Sequence, residues 1–154
     1  MLTGIDHLVI AVSDLDAAIE SYQSLGFRVV RGGRHQVGTY NALVPLADGV
    51  YLELIAFYEP SPAHRWWLPL QRGGGLVDYC LRSDALLEDM DRFRRGGVSM
   101  EEPFPMVRTR PDGYEVRWRL STAREANAGW CRFSSRTRLL ALSACRPTPS
   151  TPMA

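Results

Sequence analysis

The sequence has few cysteines and no long apolar run. Cys80, Cys131 and Cys145 are odd in number and irregularly spaced, which argues against a disulfide framework or a zinc-binding motif and favours reduced thiols. No apolar run reaches the length that spans a bilayer. The N-terminus enters a strand-like segment without a preceding basic region, so we expect no signal peptide. These absences predict a cytoplasmic protein.

The chain also lacks an excess of charge of either sign. It carries 18 Lys and Arg residues against 17 Asp and Glu, for a net charge of +1. Such a balance offers no general field for nucleic acid or membrane surfaces, so we expect neither as a partner. No phosphate-binding loop, dinucleotide fingerprint or Ser-His-Asp constellation is visible. Apolar residues make up 45% of the 154 residues, which is typical of a globular protein.

What the chain does contain is a repeat. A strand candidate at 5–12 precedes a capped apolar stripe at helical spacing, from Ser13 to Gly26, and three further strand candidates follow. The same order begins again 70 residues later, where Ser83 to Gly96 repeats the helix. This pattern predicts an α+β fold of two β-α-β-β-β modules, with helices on one sheet face and a curved cleft on the other.

The repeat also sets the predicted boundaries. The two modules are separated by a segment rich in proline and glycine, and the C-terminal segment changes in composition. The predicted division is a first module at 1–57, a linker at 58–74, a second module at 75–129 and an irregular tail at 130–154. The linker contains Trp66 and Trp67, which suit a lid, a homodimer contact or packing onto the core.

One carboxylate stands inside an apolar strand candidate. Glu53 lies at the centre of YLELIAF, residues 51–57. A buried carboxylate is costly unless it takes up a proton or finds a cation, so Glu53 indicates a polar partner. It could face a ligand in the cleft, or act as a general base on a carbon acid. Alternatively, Arg117 or Arg119 could hold it in a structural ion pair.

Three stretches of the chain resemble the glyoxalase-like proteins of the vicinal-oxygen-chelate superfamily. They are DHLVIAVSDLDAAIESY, GGRHQVGTYNALVPLADGVYLELIAF and RPDGYEVRWRL. In that superfamily, paired modules form a half-open barrel, and metal ligands come from the first and last strand of each module. The resemblance therefore implies a half-open curved sheet, a small-molecule ligand and a divalent metal. It makes His7 and Glu53 the candidate metal ligands and the candidate catalytic residues.

The second module departs from that pattern. Counted back from Asp84 as His7 lies from Asp14, the position equivalent to His7 is Val77, which cannot bind a metal. One imidazole and one carboxylate are too few ligands for tight binding unless water or substrate supplies the rest. We therefore expect no tightly bound stoichiometric divalent ion.

Four further residues are candidates for substrate binding. His35 and Asn41 flank a glycine-bounded turn, where they could bind a carbonyl or carboxylate, or serve turn chemistry alone. Arg117 and Arg119 share one strand face. They would suit an anionic or oxygen-rich ligand if that face lines the cleft, and would be solvated if it does not. Cys80 lies in an apolar strand candidate and is expected to be a core residue.

Two functions follow from the resemblance. One is an enzyme acting on a small oxygen-rich or anionic metabolite, with metal-assisted lyase, isomerase or dioxygenase chemistry. The other is a non-catalytic small-molecule binding or sequestering protein of the bleomycin-resistance type. The pairing of His7 with Glu53 favours the enzyme, and the missing histidine of the second module favours the binding protein. If the pair forms one site, the polar atoms of the two side chains should lie close together.

The tail does not fit the repeat. Glu125 is the last acidic residue, and few large apolar groups alternate from about Trp130 onward. We therefore expect no strand docked there as the last strand of the second module, which would leave that module incomplete. A shifted reading frame can turn 130–146 into an apolar run followed by an acidic residue. The tail is thus either a frameshift product, which would make the chain a remnant without activity, or a natural divergent end.

Overall fold

A computed structural model describes residues 1–35, 37–109, 115–123 and 134–138. Within these ranges no helix is long and apolar enough to cross a membrane. The described elements, in chain order, are β1 (Leu2–Ala11), α1 (Leu15–Ser24), β2 (Val30–Arg34), β3 (Thr39–Pro45), β4 (Tyr51–Phe57), α2 (Trp67–Gln71), β5 (Gly75–Ser83), α3 (Leu86–Arg95), β6 (Phe104–Thr109), β7 (Glu115–Thr122) and β8 (Ser134–Arg138).

The strands form one sheet whose two halves have the same topology. The strand order is β2-β3-β4-β1-β5-β8-β7-β6. In each half the first strand lies parallel to the fourth, as β1 does to β4 and β5 to β8. The two halves meet where β1 and β5 pair antiparallel. This confirms the predicted α+β fold built from a duplicated β-α-β-β-β unit.

Helix α1 shows how the repeat is encoded locally. The Asp14 carboxylate accepts hydrogen bonds from the backbone N–H groups of Asp16 at 2.9 Å and Ala17 at 3.0 Å, which caps the first turn. Leu15 and Ile19 then point from one face of the helix into the core. They pack on side chains of β3 and β4, namely Ala42, Val44, Leu54 and Ala56.

A second apolar cluster lies on the opposite face of the first module. It consists of Val9, Ala11 and Ile55, and the linker residues Trp66 and Leu70 pack against it. The linker, which includes α2, therefore lies over the face of the sheet opposite α1. Of the three roles considered for the linker tryptophans, packing onto the core is the one that the structure shows for Trp66.

The tail contributes a strand, contrary to expectation. Ser134–Arg138 form β8, which pairs parallel with β5 and antiparallel with β7. The prediction that no strand docks after about Trp130 is therefore wrong for these five residues. It relied on the scarcity of large apolar side chains, whereas two neighbouring strands with unpaired backbone groups give any extended segment a full set of hydrogen bonds. Residues 124–133 and 139–154 lie outside the described part, and the frameshift interpretation stays a prediction.

Candidate functional site

A register shift between β1 and β5 turns two consecutive side chains into the interior. Ile5 pairs with Leu81 and His7 with Cys80, so Asp6 is the extra residue of a bulge. A bulge re-aims the side chains around it. Asp6 and His7 are both buried as a result, and Asp6 Oδ1 lies 3.0 Å from His7 Nδ1.

His7 also lies beside Glu53, as it should if the two residues form one site. Strands β1 and β4 pair in parallel with His7 beside Tyr51 and Val9 beside Glu53. His7 Nε2 lies 3.3 Å from Glu53 Oε2, and both side chains are buried. The imidazole stacks on the Tyr51 ring, with centroids 4.7 Å apart and planes inclined at 14°. Each ring nitrogen of His7 therefore faces a carboxylate oxygen.

Asn41 is the second partner of Glu53. Its Nδ2 donates a hydrogen bond of 2.6 Å to Glu53 Oε1, and its Oδ1 accepts one of 3.0 Å from the backbone N–H of Gly33. A Cβ at Gly32 would lie 1.8 Å from Asn41 Oδ1, so only glycine leaves room for this amide. Asn41 was predicted to bind substrate, and the structure places it where it fixes the orientation of the Glu53 carboxylate.

The arginines of β7 do not join this group. Arg117 and Arg119 are exposed, and Arg117 Nη2 lies 2.5 Å from Glu115 Oε2. His7 pairs with Cys80, Cys80 pairs with position 134, and position 134 pairs with Thr122. Side chains alternate along a strand, so the two arginines lie on the other face of β7 from Thr122. The alternative in which one of them neutralises Glu53 is therefore wrong, because His7 and Asn41 are its partners.

His35 occupies the turn between β2 and β3. Its Nδ1 lies 2.8 Å from Thr39 Oγ1, and its backbone N–H donates to the Thr39 carbonyl at 2.7 Å. The Tyr58 hydroxyl donates to the His35 carbonyl at 3.1 Å. The contacts are those of a turn residue, and a role of His35 in substrate binding stays a prediction.

Asp78 is a buried carboxylate that the sequence reasoning missed. It lies opposite Val9 on β5, where the Arg65 guanidinium forms an ion pair with its Oδ2 and Trp66 Nε1 donates to the same oxygen at 3.3 Å. The count from Asp84 reached the neighbouring residue instead, because the register shifts by one along β1 and β5. A lone carboxylate in the apolar stretch LVDYCLR was the available signal, and it is the same signal that identified the carboxylate of β4.

Residues 64–71 of the linker, here called the strap, are held against β4 and β5. Arg65 ties the strap to β5, and its guanidinium carbon lies 4.8 Å from the centroid of the Trp66 ring. His64 Nδ1 accepts a hydrogen bond of 3.2 Å from the Trp66 backbone N–H. The Phe57 ring meets His64 and Trp67 edge-on, at 5.0 and 5.1 Å between centroids. The strap thus covers the sheet face opposite α1 beside Glu53.

The strap should respond to pH through His64. Burial lowers the pKa of His64 below its ordinary value of 6.5, and the positive charges of Arg65 and His35 lower it further. The unfolded chain therefore binds the proton more readily, so stability is complete above pH 6.5 and falls as the pH drops below it. We expect the urea midpoint to fall between about pH 7.5 and about pH 5.5, and to fall less in His64→Gln. Equal losses in both proteins would contradict this role.

A family model described as a glyoxalase-like domain matches residues 5–149. The chain belongs to the glyoxalase-like domain family. No curated protein matches it significantly.

Solved structures share the fold of this glyoxalase-like protein. Methylmalonyl-CoA epimerase from Mycobacterium tuberculosis is 25% identical with a TM-score of 0.68, over 89% of each chain. Methylmalonyl-CoA epimerase from Streptomyces coelicolor, solved with 2-nitronate-propionyl-CoA, is 24% identical with a TM-score of 0.69, over 94% of this chain and 100% of that one. A hypothetical protein from Bacillus halodurans C-125 is 18% identical with a TM-score of 0.67, over 87% and 93%. The chain is thus a member of the vicinal-oxygen-chelate superfamily.

The metal site implied by the glyoxalase-like family lacks protein ligands on the side of His7 that faces Glu53. His7 Nε2 and Glu53 Oε2 are close enough to share an ion, but a tight site needs further protein ligands. Asp78, on the second module, is already paired with Arg65. The group of potential ligands that the described residues bring together is instead Asp6, His7 and Cys80. The residues present therefore do not assemble the expected metal site.

Proposed function

We propose that the chain is an isomerase-type enzyme that moves a proton at a carbon atom next to a carbonyl group, with Glu53 as the proton acceptor. The observation that carries this proposal is the fixed, buried carboxylate of Glu53 on the sheet face opposite α1, held by Asn41 on one oxygen and His7 on the other. The likeness to epimerases supports it. A general base must be held in one geometry and poised for proton transfer.

In this reaction the substrate C–H bond breaks and its proton moves to a carboxylate oxygen of Glu53. The bonding electrons move to the carbonyl, which becomes an enolate, and return of a proton to carbon gives the isomer. Asn41 holds the carboxylate in place because its own oxygen is fixed by Gly33 N–H. His7 is oriented by Asp6 and Tyr51. His7 Nε2 faces the other carboxylate oxygen of Glu53, Oε2, and so helps to hold the carboxylate in one orientation.

The strap would control access to this group. Trp66 packs on Val9 and Ile55, which flank Glu53 in the sheet and in sequence, so the strap keeps water from that side of the carboxylate. Entry of a substrate would require the strap to lift. A closed cover of this kind strengthens electrostatic interactions inside the site and protects a reactive enolate.

The first substrate class to test is a small carboxylic acid derivative with an acidic C–H group, carried as an acyl thioester. Two of the solved structures compared above are methylmalonyl-CoA epimerases, and a further methylmalonyl-CoA epimerase structure contains methylmalonyl-CoA. The homodimer and the cytoplasmic location that the sequence led us to expect stay predictions. Gel filtration with light scattering would measure the oligomeric state.

Proton transfer can be tested by hydrogen exchange into the substrate. Purified protein is incubated in D₂O with methylmalonyl-CoA and with a panel of small carbonyl acids, and the C–H signal is followed by proton NMR. The wild-type protein is expected to exchange at least one of them. Glu53→Gln should be slower by about 10²–10⁴-fold, the usual contribution of a positioned base. Glu20→Gln, on the exposed side of α1, is the matched control and should exchange at the wild-type rate.

Two outcomes would overturn the assignment. Exchange in Glu53→Gln as fast as in wild type would exclude this carboxylate as the base. Binding of the panel compounds without any exchange in wild type would instead support a sequestering protein on the same fold.

A further inference from the structure

We propose that Asp6, His7 and Cys80 form a metal site of the zinc type on the Nδ1 side of His7, where it would join the two modules. One ligand atom from each of the three residues lies within 4.8 Å of the other two. The three residues are 3%, 4% and 1% exposed. The proposal contradicts the expectation of no tightly bound ion, because strand pairing brings Cys80 to His7, which the sequence did not show.

The donor set identifies the class of ion. A carboxylate oxygen, an imidazole nitrogen and a thiolate sulfur suit a borderline-soft ion such as Zn²⁺ or its spectroscopic substitute Co²⁺. Ca²⁺ and Mg²⁺ prefer oxygen ligands alone. Three protein ligands leave one position of a tetrahedral ion for water.

The surroundings of His7 fit this arrangement. A histidine that binds a metal through one nitrogen commonly donates the other N–H to a carboxylate, which fixes its tautomer and ring orientation. Glu53 Oε2 lies 3.3 Å from His7 Nε2 and is placed to accept that hydrogen bond. Glu53 would then orient the metal ligand, whereas the resemblance to known proteins implied that Glu53 is itself a ligand.

Charge also balances in the buried site. The Asp6 carboxylate and the Cys80 thiolate together neutralise a divalent ion. Binding breaks the S–H bond of Cys80 and releases its proton to solvent. Arg82 Nε lies 3.5 Å from Asp6 Oδ2, the carboxylate oxygen that the ion leaves uncoordinated when it takes Oδ1 in place of the hydrogen bond with His7.

The ion would bridge the central pair of strands. Asp6 and His7 belong to β1 of the first module, and Cys80 belongs to β5 of the second. Because binding occurs only in the folded state, the ion should stabilise the contact between modules. This site does not depend on the proposed proton transfer, because its three ligands do not include Glu53.

Cobalt binding tests the proposal directly. The starting protein carries Cys131→Ser and Cys145→Ser, so that Cys80 is the remaining thiol, and is stripped with chelator before titration with Co²⁺. We expect one equivalent to produce a thiolate-to-cobalt charge-transfer band in the near ultraviolet and the visible bands of a four-coordinate ion. Zn²⁺ should displace it and raise the Tm. Adding Cys80→Ser should remove the charge-transfer band and the rise in Tm, with folding checked by circular dichroism.

Glu53→Gln separates the two sides of the imidazole. In that variant the charge-transfer band should persist, with affinity weaker by about 10–100-fold, as expected for loss of an outer partner. Three results would overturn the proposal: no cobalt binding, a charge-transfer band that survives Cys80→Ser, or binding without that band that disappears in Glu53→Gln. The deuterium-exchange experiment is read separately, so failure of either proposal leaves the other testable.

Discussion

Arg65→Ala is expected to lower the free energy of unfolding by about 3 kcal/mol, the cost of leaving a buried charge without its partner. The side chain of Asp78 is 1% exposed, whereas that of Arg65 is 28% exposed. Removing the guanidinium would therefore strand the carboxylate inside the protein. Two donors would remain, Trp66 Nε1 and the backbone N–H of Tyr79, and neither carries a positive charge.

Urea denaturation measures this effect, and a double-mutant cycle assigns it. Asp78→Asn removes the charge, so adding it to Arg65→Ala should restore part of the lost stability. Arg72→Ala, an exposed arginine on the same linker, is the matched control and should change stability by less than about 0.5 kcal/mol. If Arg65→Ala is as mild as Arg72→Ala, the ion pair does not hold the strap.

Gly74→Ala is expected to be the more damaging of two neighbouring glycine substitutions. A Cβ at Gly74 would lie 2.4 Å from the backbone carbonyl oxygen of Ala11, so β1 or the linker would have to move. Gly73 also has a positive φ, but a Cβ there would meet nothing within 4 Å. Gly73→Ala therefore carries the backbone strain without the collision.

Backbone strain and steric collision predict opposite orders of destabilisation for Gly73→Ala and Gly74→Ala. With φ at +109°, Gly73 lies farther from the left-handed region that other residues tolerate than Gly74 does at +70°. Strain alone, which costs about 1–3 kcal/mol, would make Gly73→Ala the worse change. We expect the reverse order in chemical denaturation because of the collision with Ala11. A larger loss of stability in Gly73→Ala would show that the linker or β1 moves at little cost to accommodate a Cβ at Gly74.

The repeat could be read from the sequence because it follows from simple periodicities, whereas the pairing of His7 with Glu53 was implied by the resemblance to the glyoxalase-like proteins. Equal spacing of caps and apolar residues specified the two modules. The lone carboxylate of YLELIAF indicated a polar partner, since an unpaired buried charge is costly. Asn41 was identified as a functional candidate, but its bond to Glu53 depends on which strands pair, and that information is not local.

Asp6 and Asp78 could not be placed in the same way. Both depend on register shifts between β1 and β5, and a shift of one residue reverses the face on which a side chain lies. Counting along the chain to find the equivalent of His7 therefore reached Val77 and not its neighbour Asp78. The arginines Arg117 and Arg119 illustrate the same difficulty, because alternation showed that they share a face without showing which face it is.

The central position of β1 has a consequence for synthesis of the chain. β1 is bonded to β4 on one side and to β5 on the other. A nascent chain that has passed Phe57 but not reached Gly75 can complete the first pairing, yet it leaves the second edge of β1 open. Unpaired strand edges attract other chains, and domains fold in the order in which they leave the ribosome. Chaperones and mispaired partners should therefore meet the growing protein mainly at β1, and most often while the linker is being translated.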